Sequence, residues 1–247
     1  MQHEPTADRL EFARADGRYP LRAVAYRLDR ASIRAFGRRR TLAALCRLAR
    51  FSNRLALELA SDVYGDDLLD GSAATLDRDA VAAAIPDGGS VLDVGCGDGR
   101  WARWLADRAS RIVGIDRDPD AIAWARRNTH AANVEFRVGD ARELIARPDE
   151  VFDIALLVHV LEHIDEPVKF LGELHAVARN VAIEVPDFES DLLNFVRLDL
   201  DQPFSSDADH VREYTEQILV DTLAAGGWTV TWLRKRAGRI GVIASGS

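Results

Sequence analysis

The sequence predicts an α/β fold: a doubly wound, seven-stranded, mostly parallel sheet with a C-terminal antiparallel hairpin, preceded by a helical N-terminal cap. Three observations predict it. Short apolar runs alternate with helical patterns through the middle of the chain, a glycine-rich turn follows the first run, and two segments of alternating polarity lie near the end. Apolar strands that alternate with helices are typical of a parallel sheet covered on both faces.

The N-terminal region is predicted to be helical. From Leu21 to about Ser61, apolar residues recur at three- and four-residue steps among arginines, which is helical periodicity. The segment Asp62–Gly71 is predicted to be a loop, and a further helix is predicted over Leu76–Ala84. We therefore assign residues 1–85 to a helical cap.

The sheet domain is predicted to begin at residue 86 and to continue to residue 247. Its predicted strands are Ser90–Val94, Arg111–Ile115, Val134–Val138, Phe152–Val158, Val181–Val185, Trp228–Leu233 and Ile240–Ala244. The predicted helices between them are Arg100–Ala109, Asp120–His130, Arg142–Ala146 and Val168–Ala178.

Composition narrows the class of protein. Apolar residues make up 47% of the chain and charged residues 29%, as in globular proteins. Residues 1–50 hold twelve Arg against five Asp or Glu, a net charge of +7, so with −8 overall the rest carries −15. An acidic body argues against a broad nucleic-acid footprint. The basic segment can contact an anionic partner or form a solvated helix face, and both interpretations stand.

The sequence also predicts the cellular compartment. No apolar run approaches the roughly 20 residues that span a bilayer, so we expect no membrane span. The first twenty residues contain no apolar signal core, and the cysteines, Cys46 and Cys96, form neither a zinc spacing nor a disulfide framework. These features predict a cytoplasmic protein.

The glycine-rich turn lies in the segment VLDVGCGDGR, Val91–Arg100, where a predicted strand meets a predicted helix. Glycines are needed where the backbone takes a positive φ or a ligand approaches closely. A dinucleotide fingerprint would need glycine in place of Arg100, and a P-loop would need a GK[ST] ending. The pattern (V/L)-D-x-G-x-G-x-G instead resembles motif I of class I S-adenosylmethionine-dependent methyltransferases, of the type 11/12-like group. A nicotinamide-binding fold is the nearest rival.

This resemblance implies S-adenosylmethionine as the cofactor and a role for three acids. Asp116, 23 residues after Asp93, matches the acid that accepts hydrogen bonds from the ribose hydroxyls. Asp140 matches the acid that binds the adenine amino group, with the backbone N–H of Ala141 facing the ring. Asp93 is expected to bind the ammonium of the methionine moiety. The resemblance adds six contact positions: Gly95, Cys96, Gly97, Gly99, Arg117 and Val158. The alternative role for any one of these acids is capping of a helix, which is common for an Asp that follows a strand.

The segment after the fourth predicted strand, LLVHVLEH, contains an H-x-x-E-H pattern formed by His159, Glu162 and His163. On a helix these three residues share a face. The pattern alone resembles zinc peptidases, but its place after the strand that faces the transferred methyl disfavours that class. The stretch lacks the D/N-P-P-Y/F tetrapeptide of methyltransferases that act on base amines.

Two resemblances point to a divalent ion. Ubiquinone-pathway O-methyltransferases carry a similar E-x-x-E-H stretch that binds one, and small-RNA 2′-O-methyltransferases add a later histidine. Here His159 replaces the first Glu, and His210 is the later candidate. The predicted ligands are thus His159, Glu162, His163 and His210, which favour Zn²⁺, Mn²⁺ or Fe²⁺ over Mg²⁺, although Mg²⁺ stays open. Two alternatives also stay open: His159 or His163 as a metal-free catalytic base, and a purely structural role.

The predicted function is methylation of a hydroxyl on a small molecule, with sugars or glycosides ahead of phenols. An insertion around residues 186–210 lies where methyltransferases bind acceptors, and its acids can bind a polyhydroxylated one. These acids are Asp187, Glu189, Asp191 and Asp201. Tyr64 and Tyr214 are candidate pocket walls. An acceptor among other natural products (a phenol or amine), the 2′-hydroxyl of RNA, and a catalytically silent S-adenosylmethionine-binding subunit are the alternatives. A homodimer through the N-terminal helices is left open.

Overall fold

The computed structural model describes residues 31–64, 76, 78–146, 150–201 and 210–246. The chain divides into two compact units. The described residues up to 64 and 191–201 belong to the first unit, and residues 76–190 and 210–246 to the second.

The first unit is helical. Helical residues 31–36 precede α1, Arg38–Tyr64, and the other helix is α7, Leu192–Asp199. Arg39 joins the two, because its Nη2 donates a hydrogen bond of 2.8 Å to the carbonyl oxygen of Asp199. The predicted N-terminal helix is therefore present from residue 31, while residues 21–30 lie outside the described ranges. α1 continues through Tyr64, into the segment predicted to be a loop, and residues 65–71 lie outside the described ranges.

The second unit contains a seven-stranded sheet in the order β3-β2-β1-β4-β5-β7-β6. The strands are β1, Ser90–Val94; β2, Arg111–Asp116; β3, Val134–Val138; β4, Phe152–Val158; β5, Ala178–Pro186; β6, Trp228–Arg236; and β7, Arg239–Gly246. β1 to β5 pair in parallel, and β7 is antiparallel to both β5 and β6. The predicted fold class is confirmed.

Helices cover both faces of this sheet. They are α2, Arg78–Ala84; α3, Arg100–Leu105; α4, Pro119–Asn128; α5, Ala141–Ala146; α6, Pro167–Leu174; and α8, Glu216–Ala225. Because successive side chains of a strand point to opposite faces, Val91 joins the core under α2, α3 and α4, while Leu92 joins the core under α5, α6 and α8. This arrangement is the doubly wound one. α2, which the sequence pattern placed in the cap, packs through Val81 into the first of these cores.

Three helices end earlier than predicted. α3 ends at Leu105 rather than Ala109, and α4 ends at Asn128 rather than His130. α6 ends at Leu174 rather than Ala178, because β5 begins at Ala178. Within the described ranges, no helix is both long and apolar enough to cross a membrane.

Candidate active site

The turn between β1 and α3 is anchored to β2. The backbone N–H groups of Gly95 and Cys96 donate to the carbonyl oxygen of Ile115, at 2.8 and 3.2 Å. Gly95 has a φ of +65°, and a Cβ there would lie 2.6 Å from Cγ2 of Val160. Glycine is therefore the residue that this position accepts.

The carboxylate of Asp116, at the end of β2, holds the same turn. Its Oδ2 accepts a hydrogen bond of 2.8 Å from the N–H of Gly97, and its Oδ1 accepts one of 2.9 Å from the N–H of Asp118. Each carboxylate oxygen has a second lone pair, so the fixed group can still accept hydrogen bonds from a vicinal diol.

Asp140 follows β3 and is paired with Arg117. The guanidinium of Arg117 donates to Oδ2 of Asp140, and the N–H of Arg142 donates to Oδ1 at 2.9 Å. Burial opposes the charge of Asp140, but these two donors outweigh it and hold its pKa below the usual range. Asp140 is thus an ionised acceptor beside Asp116.

Asp93 in β1 is buried without a full set of partners. Its Oδ2 has no hydrogen-bond partner among the described residues, and its exposed fraction is 2%. Burial, followed by the charges of Asp116 and Asp98, raises the pKa of Asp93 to about 7. A buried unpaired carboxylate is costly, and a cationic group bound beside it would relieve that cost. The site therefore fits the ammonium of S-adenosylmethionine.

A cavity of about 530 Å³ extends from Gly95, Asp116 and Asp140 to the H-x-x-E-H segment, and the predicted residues Asp93, Gly97 and Gly99 do not line it. Its lining includes seven of the predicted site residues: Gly95, Asp116, Arg117, Asp140, Ala141, His159 and His163. Val94, Ile115, Gly139, Val160, Ile164 and Phe170 complete the lining. Cys96 and Val158 pack in the core under α2, α3 and α4 and do not line this cavity.

His159 directly follows β4 and has a φ of +56°, a conformation uncommon for residues other than glycine. Its Nδ1 lies 3.1 Å from Oε1 of Glu162, and its Nε2 lies 3.2 Å from Oε1 of Glu184. Burial opposes the charge of the ring, but these carboxylates outweigh it and raise the pKa of His159 to about 9. A protonated ring donates to both carboxylates in this arrangement, and in that state it offers no nitrogen to accept a proton or to bind a metal.

Glu184 is a site residue that the sequence analysis missed. It is buried in β5, and it also accepts hydrogen bonds from the N–H of Leu76 at 2.6 Å and from Arg239 at 3.3 Å. The available signal was an acidic residue inside the apolar run VAIEVP. Acids in such strands are rarely buried unless they are paired.

Glu162 and His163 lie on a 3₁₀ turn, Leu161–His163, rather than on an α-helix. The N–H of Val211 donates to the carbonyl oxygen of Glu162 at 3.0 Å, which brings His210 close. The rings of His163 and His210 are 4.8 Å apart, edge to face.

Glu162, His163 and His210 form a candidate cation site. Each offers a ligand atom, and these atoms lie within 4.8 Å of one another. Oε2 of Glu162 is buried and has no hydrogen-bond partner among the described residues. Two bonds of about 2.1 Å span at most about 4.2 Å, so a bound ion would draw the three groups slightly closer. One carboxylate with two imidazoles is a donor set that suits Zn²⁺, Mn²⁺ or Fe²⁺. His159 lies outside this set.

Four residues that were predicted to contact the acceptor, or to line its pocket, form contacts within the protein instead. Nζ of Lys235 lies 3.1 Å from Asp187 and 3.0 Å from Glu189. Asp191 caps α7 through the N–H of Leu193. Tyr214 is fully buried, and its hydroxyl donates to the carbonyl oxygen of Leu161.

The sequence matches known methyltransferases. Residues 92–183 match the family described as methyltransferase domain. The ubiquinone biosynthesis O-methyltransferase of Caulobacter vibrioides is 34% identical over 102 residues, which is 40% of each chain. A probable S-adenosylmethionine-dependent methyltransferase of Mycolicibacterium smegmatis is 35% identical over 92 residues, 37% of this chain and 35% of the relative. These matches thus span well under half of the curated relatives.

Solved structures share the fold. A SAM-dependent methyltransferase from Aquifex aeolicus has a TM-score of 0.53 and 22% identity, covering 69% of this chain and 89% of its own. Magnesium protoporphyrin IX methyltransferase from Synechocystis PCC 6803, solved with bound SAH, has a TM-score of 0.53 and 18% identity. The match covers 69% of this chain and 82% of that methyltransferase. Residues 92–183 are thus a methyltransferase domain by their family match, and the sheet that holds them has the fold shared with these solved S-adenosylmethionine-dependent methyltransferases.

Proposed function

We propose that this protein transfers a methyl group from S-adenosylmethionine to a hydroxyl group of a small molecule. One observation carries the proposal: His163 lines the same cavity as Asp116 and Asp140. A group that can take a proton therefore lies in the cavity that contains the acids expected to bind the ribose and adenine.

The chemistry of the acceptor explains why this neighbourhood matters. S-adenosylmethionine supplies a methyl group already activated on a positively charged sulfonium. The acceptor hydroxyl must lose its proton as it attacks, and an alcohol holds that proton tightly. His163 accepts the proton in a metal-free mechanism, and the pair His159–Glu162 holds the turn that carries it.

The same cluster supports a metal-assisted version. Glu162, His163 and His210 would hold a divalent cation, and such a cation lowers the pKa of a bound hydroxyl. Oε2 of Glu162 is buried and has no hydrogen-bond partner within the described part of the chain, which favours this version, because a cation would satisfy it.

For the acceptor, we favour a sugar or glycoside over a phenol. Chelation of a diol by the candidate cation site is the supporting argument. Asp187 and Glu189, which were predicted to bind such an acceptor, support this choice only weakly, because both already pair with Lys235. The second candidate is a phenol; the Caulobacter vibrioides relative, whose name places it in ubiquinone biosynthesis, is an O-methyltransferase by that name. The remaining alternative is a subunit that binds S-adenosylmethionine without catalysis.

The test is transfer of labelled methyl into a pool of hydroxylated metabolites, with Mn²⁺ or Mg²⁺ and with EDTA. We expect Asp116→Ala to abolish cofactor binding, and His163→Ala to spare binding and stop transfer. The matched control is His130→Ala, at an exposed histidine. Transfer that EDTA abolishes and metal restores supports the metal-assisted version. Normal turnover by His163→Ala would refute the role given to His163, and cofactor binding without any transfer would favour the silent subunit.

A further inference from the structure

The function proposed above leaves one feature of the described chain unused, an exposed apolar stripe along α1. Six large side chains of this helix are between 40% and 65% exposed: Leu42, Leu45, Leu48, Phe51, Leu55 and Leu59. Apolar stripes of this size mark surfaces that contact another molecule or a membrane.

The same helix also has a basic face. At about 100° per residue, Leu45, Leu48, Phe51, Leu55 and Leu59 fall within an arc of about 120°. Arg39, Arg40, Arg47 and Arg50 fall within an arc of about 100°, whose centre is about 130° from the centre of the apolar arc. α1 is thus an amphipathic helix with leucine and phenylalanine on one face and arginine on the other.

The charge of the helix decides between partners. From Arg38 to Asn53 it contains five arginines and no acidic residue. Pairing of two copies through the stripe would cover the apolar side chains, but it would give the arginines no anionic partner, because this part of the helix has no acid. An anionic lipid surface accepts both faces at once, because the apolar side chains enter the acyl boundary while the arginines reach the phosphates.

We infer that α1 binds the surface of an anionic lipid bilayer, lying in the plane of the interface with Leu48 and Phe51 inserted. Two terms contribute to the free energy of binding. The first is burial of the apolar stripe, and the second is attraction of the exposed Arg40 and Arg47 to anionic headgroups. Salt weakens the second term but not the first. The inference is independent of the proposed chemistry, since binding to vesicles requires neither a cofactor nor an acceptor.

The test is co-sedimentation of the full chain with vesicles of phosphatidylcholine, alone or mixed with phosphatidylglycerol. We expect binding only to the mixed vesicles, and weaker binding as salt is raised. An arginine near an anionic surface is worth about fivefold in affinity, so Arg40→Gln with Arg47→Gln should weaken binding by about 25-fold. Leu48→Ser with Phe51→Ser should reduce it at least as much.

Two double variants serve as matched controls. Arg108→Gln with Arg127→Gln removes the same charge from exposed positions of the other unit, and Val168→Ser with Ile218→Ser removes exposed apolar side chains there. Both should bind vesicles like the unchanged chain. Circular dichroism of every variant checks that the helices remain. Absence of binding to anionic vesicles, or equal losses in test and control variants, would overturn the inference. A dimer in sedimentation velocity that Leu48→Ser with Phe51→Ser dissociates, without vesicle binding, would assign the stripe to a second copy.

Discussion

Nε2 of His159 lies 3.2 Å from Oε1 of Glu184, and this contact ties the residue after β4 to the buried face of β5. The other ring nitrogen meets Glu162, so one imidazolium connects two buried carboxylates. The left-handed backbone of His159 is costly by itself, and the two ion pairs offset that cost.

Removing His159 should therefore destabilise the fold. His159→Leu removes the partner of Oε1 of Glu162 and one of the donors to Glu184, which keeps Leu76 and Arg239. We expect a loss of about 2 kcal/mol in the free energy of unfolding, because the ring is partly exposed, and urea unfolding measures this loss. His159→Leu with Glu184→Gln should lose less than the two single changes combined, because both single changes break the same ion pair. Strict additivity would contradict the pairing.

The glycine turn offers a matched pair of substitutions. Gly97→Ala should cost about 1–2 kcal/mol, the penalty of a left-handed backbone with no neighbouring clash. Gly95→Ala should cost more, since its Cβ would lie 2.6 Å from Cγ2 of Val160. Thermal unfolding compares the two. Val160→Ala should partly rescue Gly95→Ala and leave Gly97→Ala unimproved; an equal effect on both would rule out the contact as the cause.

The raised pKa of Asp93 predicts opposite effects of pH on stability and on cofactor binding. Without cofactor, the folded chain keeps a proton on Asp93 up to a pH of about 7, whereas the unfolded chain releases it near 3.8. Stability is therefore lost as pH rises through that window. Binding of a cationic ammonium needs the carboxylate, so affinity should rise with pH up to about 7.

Calorimetric titration with S-adenosylhomocysteine, which retains that ammonium, tests the second effect, and denaturant unfolding across the same pH range tests the first. Asp93→Asn should flatten both profiles and weaken binding. A variant whose profiles kept their slopes would show that another group titrates.

The candidate cation site predicts that its ligands, and one residue that contacts a ligand, each contribute to the affinity for Mn²⁺. His210→Ala and Glu162→Gln each remove a ligand and should weaken Mn²⁺ binding at least tenfold. Glu213→Gln changes the residue whose Oε1 lies 3.3 Å from Nδ1 of His210, and it should weaken binding by about 10- to 100-fold. Electron paramagnetic resonance of free Mn²⁺ measures all three. The idea fails if the unchanged chain leaves the Mn²⁺ signal undiminished.

The sheet was largely predictable because its signals are local. β1, β3 and β4 have the predicted bounds, since each is an apolar run between turn residues. Helix ends were less predictable: α6 ends where β5 begins, and that boundary depends on pairing with β4 rather than on the helix pattern.

The candidate site was predictable only where motif spacing carries the information. The positions of Asp116 and Asp140 follow from their places after strands, and both line the cavity. The arrangement of His159 did not follow, because the helical periodicity assumed for H-x-x-E-H is replaced by a left-handed residue and a 3₁₀ turn. Its second carboxylate, Glu184, is 25 residues away in sequence and is brought close only by the pairing of β4 with β5.

The place of β7 in the sheet has a consequence for synthesis of the chain. β7 is synthesised after the other six strands of this sheet, yet it lies between β5 and β6 and supplies Arg239 to Glu184. A nascent chain that already displays the glycine turn and all five parallel strands still lacks one counter-charge of its buried acid. The buried ion pairs beside the candidate site are therefore completed only when β7 has been synthesised, and a chain interrupted before β7 would retain the glycine turn without the counter-charge of Arg239.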